Sequence, residues 1–163
     1  MLGVIIRSQL VKYQSQSLQT FQPSYSESRL KLMIGVSLSP TPYKIKTLRA
    51  EHYLRCGADI LLNGIQGEVE GEASCIICGA TVRLKIRERK ILELNPGSSL
   101  LHAVEIPLEH GKIGIECEGS PLFDKDDCLH TWLRSYTGRS GSVYKPQDFL
   151  DQMMRVRFPE KRS

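Results

Sequence analysis

The sequence predicts an α+β domain in which a small, mainly antiparallel sheet packs against helices. Between residues 67 and 118, several segments alternate apolar and polar side chains with the period of two that half-buried strands show. Segments with the apolar spacing of a helix precede and follow this group of strands. The chain has 163 residues, of which 40% are hydrophobic, so it can bury the core of one domain.

The composition argues against several classes of protein. The longest apolar runs are only a few residues, far short of the roughly 18 that a membrane helix needs. The segment Met1 to Ile6 lacks both the basic start and the small-residue cleavage pattern of a secretory signal. A net charge of +4 is mild and does not require a nucleic-acid partner. We therefore expect a cytoplasmic protein without a membrane or nucleic-acid partner.

The chain divides into an arm and a folded domain. Gln and Ser dominate residues 13–29, which have little to bury. Residues 1–33 are therefore predicted to be a polar arm, and residues 34–163 to be the domain.

The first elements of the domain are a strand and a helix. Apolar residues alternate from Leu30 to Leu38, which predicts a strand that ends at a proline turn. Thr47 is predicted to cap a helix that stops at Asn63-Gly64. Cys56 and Asp59 lie three apart, so both would lie on one face of this helix.

Strands then predominate until two final helices. Strands are predicted over residues 67–72, 80–88, 99–106 and 112–118, and alternation places Cys117 on the inner face of the last. Helices are predicted over residues 124–137 and from Pro146 onward.

Cys75 and Cys78 form a C-x2-C-G sequence that resembles half of a zinc knuckle. Cys117 and Cys128 are the remaining candidates for a second pair of ligands, but they lie in a strand and a helix, and the sequence favours packing of one or both thiols at the start of a strand over a zinc site. The four histidines have no metal-hydrolase spacing, and no serine-hydrolase, NTPase or dinucleotide motif occurs.

Four segments, taken in order, resemble the organomercurial (alkylmercury) lyase family. They are the strand and proline turn of residues 34–43, the C-x-x-D segment of residues 53–61, the cysteine-containing turn of residues 73–82, and residues 115–117 followed by Trp132. The family has a helical segment ahead of the first match, where this sequence has residues 1–33. The resemblance implies that residues 34–163 form an alkylmercury lyase-like domain.

The resemblance also implies an activity and a set of site residues. Cys56 and Cys117 would hold mercury as substrate and product, and Asp59 would move the proton that replaces mercury on carbon. The products would be a hydrocarbon and Hg(II), as in mercury resistance. Cys75 matches a structural cysteine of the family, whereas Cys78 and Cys128 match no residue of its site.

Soft thiolate sulfur suits the soft ion Hg(II), and this chemistry fits the implied residues. No resident cofactor is expected. The expected partners are an organomercurial substrate and either cellular thiols or a mercury-accepting protein that removes the product. The alternative is a non-catalytic thiol protein on the same scaffold that binds a soft metal such as Hg, Cu or Zn.

Overall fold

The computed structural model describes residues 33–109 and 113–157, and all of these residues belong to the same structural unit. Residues 1–32 of the predicted arm lie outside the described residues. Within the described part the chain forms two antiparallel sheets and three α-helices, which confirms the predicted α+β class. None of the helices in residues 33–109 and 113–157 is long and apolar enough to cross a membrane.

Among the described residues, the larger sheet has six strands in the order β1-β3-β2-β4-β5-β6, and every neighbouring pair is antiparallel. Its strands are β1 Val36–Ser37, β2 Tyr43–Lys46, β3 Glu51–Leu54, β4 Val69–Ser74, β5 Thr81–Arg87 and β6 Lys90–Asn95. In β5, Val82, Leu84 and Ile86 are buried while Arg83 and Arg87 are exposed, as the alternation predicts.

The smaller sheet is built on a long strand, β7, which pairs with three other strands of the described part of the chain. Its strands are β7 Leu100–Pro107, β8 Ile113–Glu116, β9 Leu122–Phe123 and β10 Ser142–Tyr144. A short 3-10 helix, Cys117–Gly119, follows β8 directly. The strand predicted over residues 112–118 is therefore shorter than expected, and Cys117 lies in a turn rather than in the strand.

Three helices complete the described part of the domain: α1 Gly57–Gln66, α2 Asp126–Ser135 and α3 Pro146–Arg157. Every residue of α1 from Gly57 to Ile65 is buried, so this helix lies at the centre of the core. It packs against the larger sheet and α3. The two predicted C-terminal helices are confirmed, and α3 begins at Pro146 as predicted.

The prediction for the first helix was wrong at both ends. Residues 51–54 form β3, which pairs with β2, so Thr47 lies in a hairpin turn. Its Oγ1 accepts hydrogen bonds from the backbone N–H groups of Arg49 and Ala50, each at 3.3 Å. A threonine that can cap a helix can equally stabilise such a turn, and pairing with β2 decides between them. The helix also continues through Asn63, the predicted stop, to Gln66.

The strand predicted from Leu30 to Leu38 is also shorter than expected. Leu30 and Leu32 lie outside the described residues, and only Val36–Ser37 forms a strand in the described part of this segment. Leu38 is 96% exposed. Its alternation with apolar neighbours therefore does not reflect burial on the face of a sheet.

Candidate metal-binding thiol sites

The start of α1 carries two of the predicted site residues. Cys56 occupies the N-cap position with an extended backbone (φ −154°, ψ 171°), so it precedes the helix instead of lying within it. Asp59 is the third residue of α1, and its N–H donates to the carbonyl of Cys56 at 3.2 Å. Cys56 is fully buried and Asp59 is 2% exposed. The turn that begins a helix, and not a shared helical face, brings these side chains together.

The turn after β8 brings Cys117 to the same place. Ser120, which follows the 3-10 helix, accepts hydrogen bonds through its carbonyl from the N–H groups of Gly57 (3.1 Å) and Ala58 (3.4 Å). These N–H groups belong to the first turn of α1 and have no partner within the helix. A Cβ atom at Gly57 would lie 2.7 Å from the backbone nitrogen of Leu122, so this close approach requires glycine.

Three side chains converge as a result. The Sγ atoms of Cys56 and Cys117 and a carboxylate oxygen of Asp59 all lie within 4.8 Å of one another. Cys117 Sγ donates a hydrogen bond to Asp59 Oδ2 at 3.5 Å. Cys117 is half-buried and is the most accessible of the three. We call these residues the Cys56 cluster.

The surroundings keep one thiol of the Cys56 cluster protonated. Hydrogen bonding with Cys117, then burial, then the negative charge of Asp59 raises the pKa of Cys56 well above its usual range. Because thiolate is the form that binds a metal, Cys56 would have to lose its proton in order to bind one. Asp59 is the carboxylate of the cluster and lies within reach of that proton.

Asn63 and Gly35 hold Asp59 in place, and sequence reasoning missed both. The Asn63 side-chain amide donates to the carbonyls of Asp59 (2.8 Å) and Ile34 (2.7 Å), and its Oδ1 accepts from the N–H of Ile34 (2.9 Å). Gly35 has φ +69°, and a Cβ atom there would collide with the carboxylate of Asp59. Residues 34 and 35 therefore cover the acid closely. An asparagine inside a helix was the available signal, but it was interpreted as a helix stop.

Tyr43 is a further buried group near the thiols, and sequence reasoning gave it no role. In the sheet it pairs with both Leu54 and Ala73, which lie two residues before Cys56 and Cys75. Burial, followed by the charges of the nearby cysteines, raises the pKa of Tyr43. Its phenol therefore stays neutral and protonated at neutral pH.

The remaining cysteines form a second group. The ligand atoms of Cys75, Cys78, Asp124 and Cys128 all lie within 4.8 Å of one another, and we call these residues the Cys128 cluster. The idea that Cys117 and Cys128 supply a second pair of ligands to Cys75 and Cys78 is therefore half wrong. Cys128 joins them, but Cys117 belongs to the Cys56 cluster. Asp124 was missed because a single aspartate before a helix gives no distinctive signal.

Comparison with known proteins identifies a solved structure that has the same fold as this chain. No protein-family model and no curated protein sequence matches the chain. Ten chains of solved structures do match it. One is described as the mercury-bound form of MerB2; it is 16% identical, with a TM-score of 0.63, and the match covers 92% of this chain and 73% of that one. The chain therefore has the fold of MerB2, which confirms at the level of the fold its resemblance to the organomercurial lyases.

Proposed function

We propose that this chain cleaves the carbon–mercury bond of organomercurials by protonolysis, with Cys56, Cys117 and Asp59 as the reacting groups. The observation that carries the proposal is the convergence of two sulfurs and one carboxylate in the Cys56 cluster. The similarity in fold to a mercury-bound protein supports mercury as the ion that this cluster meets.

The donor set of the Cys56 cluster suits an organomercurial substrate. Hg(II) is a soft ion, and thiolate sulfur binds it in preference to carboxylate or imidazole. Two thiolates leave room around mercury for its organic group, whereas four protein ligands would close the site. Both sulfurs donate electron density to mercury, which weakens its bond to carbon.

The protons balance with these three residues alone. In the first step Cys117 displaces the ligand X from R–Hg–X, and its thiol proton leaves with X as HX. In the second step Cys56 binds mercury and passes its proton to Asp59. In the third step Asp59 delivers that proton to carbon, the electron pair of the Hg–C bond forms the new C–H bond, and R–H departs. Asp59 returns to the carboxylate, and Hg(II) stays bound to two thiolates.

The product must then be removed from a strongly binding site. A bis-thiolate complex of Hg(II) exchanges through attack by further thiols, so cellular thiols or a mercury-accepting protein would complete the cycle. The chemistry needs no resident cofactor. It also needs reduced cysteines, which suits a cytoplasmic protein of mercury resistance.

A non-catalytic soft-metal thiol protein is the second candidate. The Cys128 cluster favours it, because a second group of thiols adds metal-binding capacity without adding a catalytic group. The two candidates differ in one observable, since a binding protein retains the organic group on mercury and a lyase releases it.

The test is release of benzene from phenylmercury, measured by headspace gas chromatography with excess thiol present. The full chain should release benzene well above the thiol-only control. Asp59→Asn should slow release while phenylmercury still binds. Asp126→Asn is the matched control, because Asp126 is an exposed acid in the first turn of α2. Binding of phenylmercury without benzene would reject the lyase and support the binding protein.

A further inference from the structure

The Cys128 cluster takes its four side chains from two separate parts of the fold. Cys75 and Cys78 lie in the turn between β4 and β5, while Asp124 and Cys128 lie at the start of α2. Cys78 Sγ donates a hydrogen bond to Asp124 Oδ1 at 3.3 Å, across 46 residues of sequence. The cluster therefore joins the larger sheet to α2.

The spacing of the four ligand atoms fits a single tetrahedral ion. A zinc ion with Zn–S bonds of about 2.3 Å holds its sulfurs about 3.8 Å apart. The four ligand atoms here lie within 4.8 Å of one another, so small side-chain rotations are enough to bring them onto one ion. Three sulfurs and one carboxylate oxygen would complete the coordination and leave no open position.

The turn that carries the first two cysteines is already shaped for this role. The N–H of Cys75 donates to the carbonyl of Ala80, and the N–H of Gly79 donates to the carbonyl of Cys75, each at 2.8 Å. Gly79 has φ +74°, a conformation that favours glycine. The C-x2-C-G sequence thus forms a compact loop with both thiols near Asp124.

The electrostatics of the Cys128 cluster also indicate a cation. Asp124 is only 8% exposed, and Cys75 and Cys128 are 2% and 3% exposed. Within residues 33–109 and 113–157, Asp124 forms no ion pair with a lysine or arginine. Metal binding would turn the buried thiols into thiolates beside this carboxylate, and a divalent cation would compensate the negative charge that they bring together. Cys78 is exposed, so it gives an ion access to the buried ligands.

We propose that Cys75, Cys78, Asp124 and Cys128 bind one Zn²⁺ in a closed, structural site. Zinc is favoured over Cu(I) because it accepts mixed sulfur and oxygen ligands in a tetrahedron, whereas a carboxylate is a poor ligand for soft Cu(I). The proposal does not depend on the lyase activity. It concerns residues outside the Cys56 cluster.

The zinc would also support the position of Cys117. It fixes the start of α2, whose residue Trp132 contacts His102 with ring centroids 5.0 Å apart. His102 Nδ1 in turn lies 2.6 Å from the carbonyl oxygen of Gly119, in the 3-10 helix that begins with Cys117. Zinc therefore stabilises the frame that holds one reacting sulfur.

The test is the metal content of the full chain, purified under reducing conditions from zinc-supplemented cells and measured by mass spectrometry. We expect one zinc per chain. Cys78→Ser and Asp124→Asn should lose most of it, while Cys117→Ser and Asp59→Asn should retain it. Since Cys78 is exposed, its replacement is not expected to disturb the core.

Cobalt gives a second measurement on the same variants. Co²⁺ added to metal-free protein should produce the thiolate charge-transfer and tetrahedral d–d absorption bands in the wild type and in Cys117→Ser, but not in Cys78→Ser. Folded wild type without zinc and without these bands would overturn the proposal. So would zinc lost equally from the Cys117 and Cys78 variants, or copper bound in preference to zinc.

Discussion

The Cys56 cluster and the Cys128 cluster use the same chemical groups in different numbers. The first has two sulfurs and one carboxylate, and the second has three sulfurs and one carboxylate. Structural zinc sites have four protein ligands, whereas reactive metal sites keep a position open for substrate. In the proposed functions, one additional cysteine distinguishes a closed zinc site from a site that keeps a position for an organic group.

The two clusters share their placement in the fold. Each lies at the N-terminal end of a helix, with Asp59 and Cys128 both the third residue of their helices. The positive end of a helix dipole favours the negative charge of thiolate and carboxylate ligands. In each cluster one cysteine is more exposed to solvent than the other ligands: Cys117 in the Cys56 cluster and Cys78 in the Cys128 cluster. These two cysteines form a matched pair of sites for mutation.

The largest expected effect is on bond cleavage. Replacing Cys117 or Cys56 with serine should lower the rate of benzene release by more than about 1,000-fold, because each removes a group bonded to the reacting atom. Zinc content, measured on the same samples, should stay unchanged. If Cys117→Ser releases benzene at the wild-type rate, the assignment of bond cleavage to the Cys56 cluster is wrong.

The second largest expected effect is the loss of folding stability when zinc is removed. A ligand present at 1,000 times its dissociation constant stabilises the folded state by about 4 kcal/mol, which corresponds to about 10 °C in Tm for a domain of this size. A strong chelator should therefore lower the Tm of the wild type, measured by circular dichroism. The Cys78→Ser variant should melt at the lower temperature with or without chelator. An unchanged wild-type Tm would count against a structural metal.

Asp59 should matter for proton transfer and little for mercury binding. Asp59→Asn is expected to slow benzene release by about 100-fold, a typical loss for a general acid, while Hg(II) affinity changes little. Single-turnover release and equilibrium mercury binding, measured in parallel, separate the two effects. Equal losses in both would show that the carboxylate acts as a ligand instead.

The smallest expected effect is on stability at high pH. The pKa of Cys56 is raised in the folded state, so the folded protein retains this proton where the unfolded chain loses it. Stability from this group is thus complete below the ordinary thiol value of 9.0 and decreases as pH rises above it, by at most about 1.4 kcal/mol per pH unit.

Urea unfolding of zinc-loaded wild type and Cys56→Ser between pH 8 and pH 10 isolates this slope, because the zinc-bound thiolates of the Cys128 cluster contribute equally to both proteins. Cys56→Ser should show a shallower decrease than the wild type. Identical slopes would mean that Cys56 titrates normally in the folded protein.

Strong local patterns predicted much of the fold. The alternation in β5 and the proline at the start of α3 each specify their element from a few neighbouring residues. In contrast, β3 has four residues and exists because it pairs with β2, so its local sequence was equally compatible with a helix. Burial of α1 on all sides also concealed the true start of that helix at Gly57.

The residues of the two clusters also differed in how far the local sequence predicted them. Cys56, Asp59 and Cys117 were predicted together from a family resemblance, because no local pattern links residues so far apart in sequence. The Cys75–Cys78 pair was recognisable from its spacing alone. Asp124 could not be recognised from the sequence, because it joins the cluster through a contact across 46 residues that only the folded chain creates.

The most direct test adds one equivalent of phenylmercury to zinc-loaded, thiol-reduced protein and measures benzene and released zinc together. If the Cys56 cluster is the reactive site and the Cys128 cluster is closed, benzene should form in stoichiometric amount while zinc stays bound. Release of zinc without benzene would contradict the account, because mercury would then have entered the Cys128 cluster and kept its organic group.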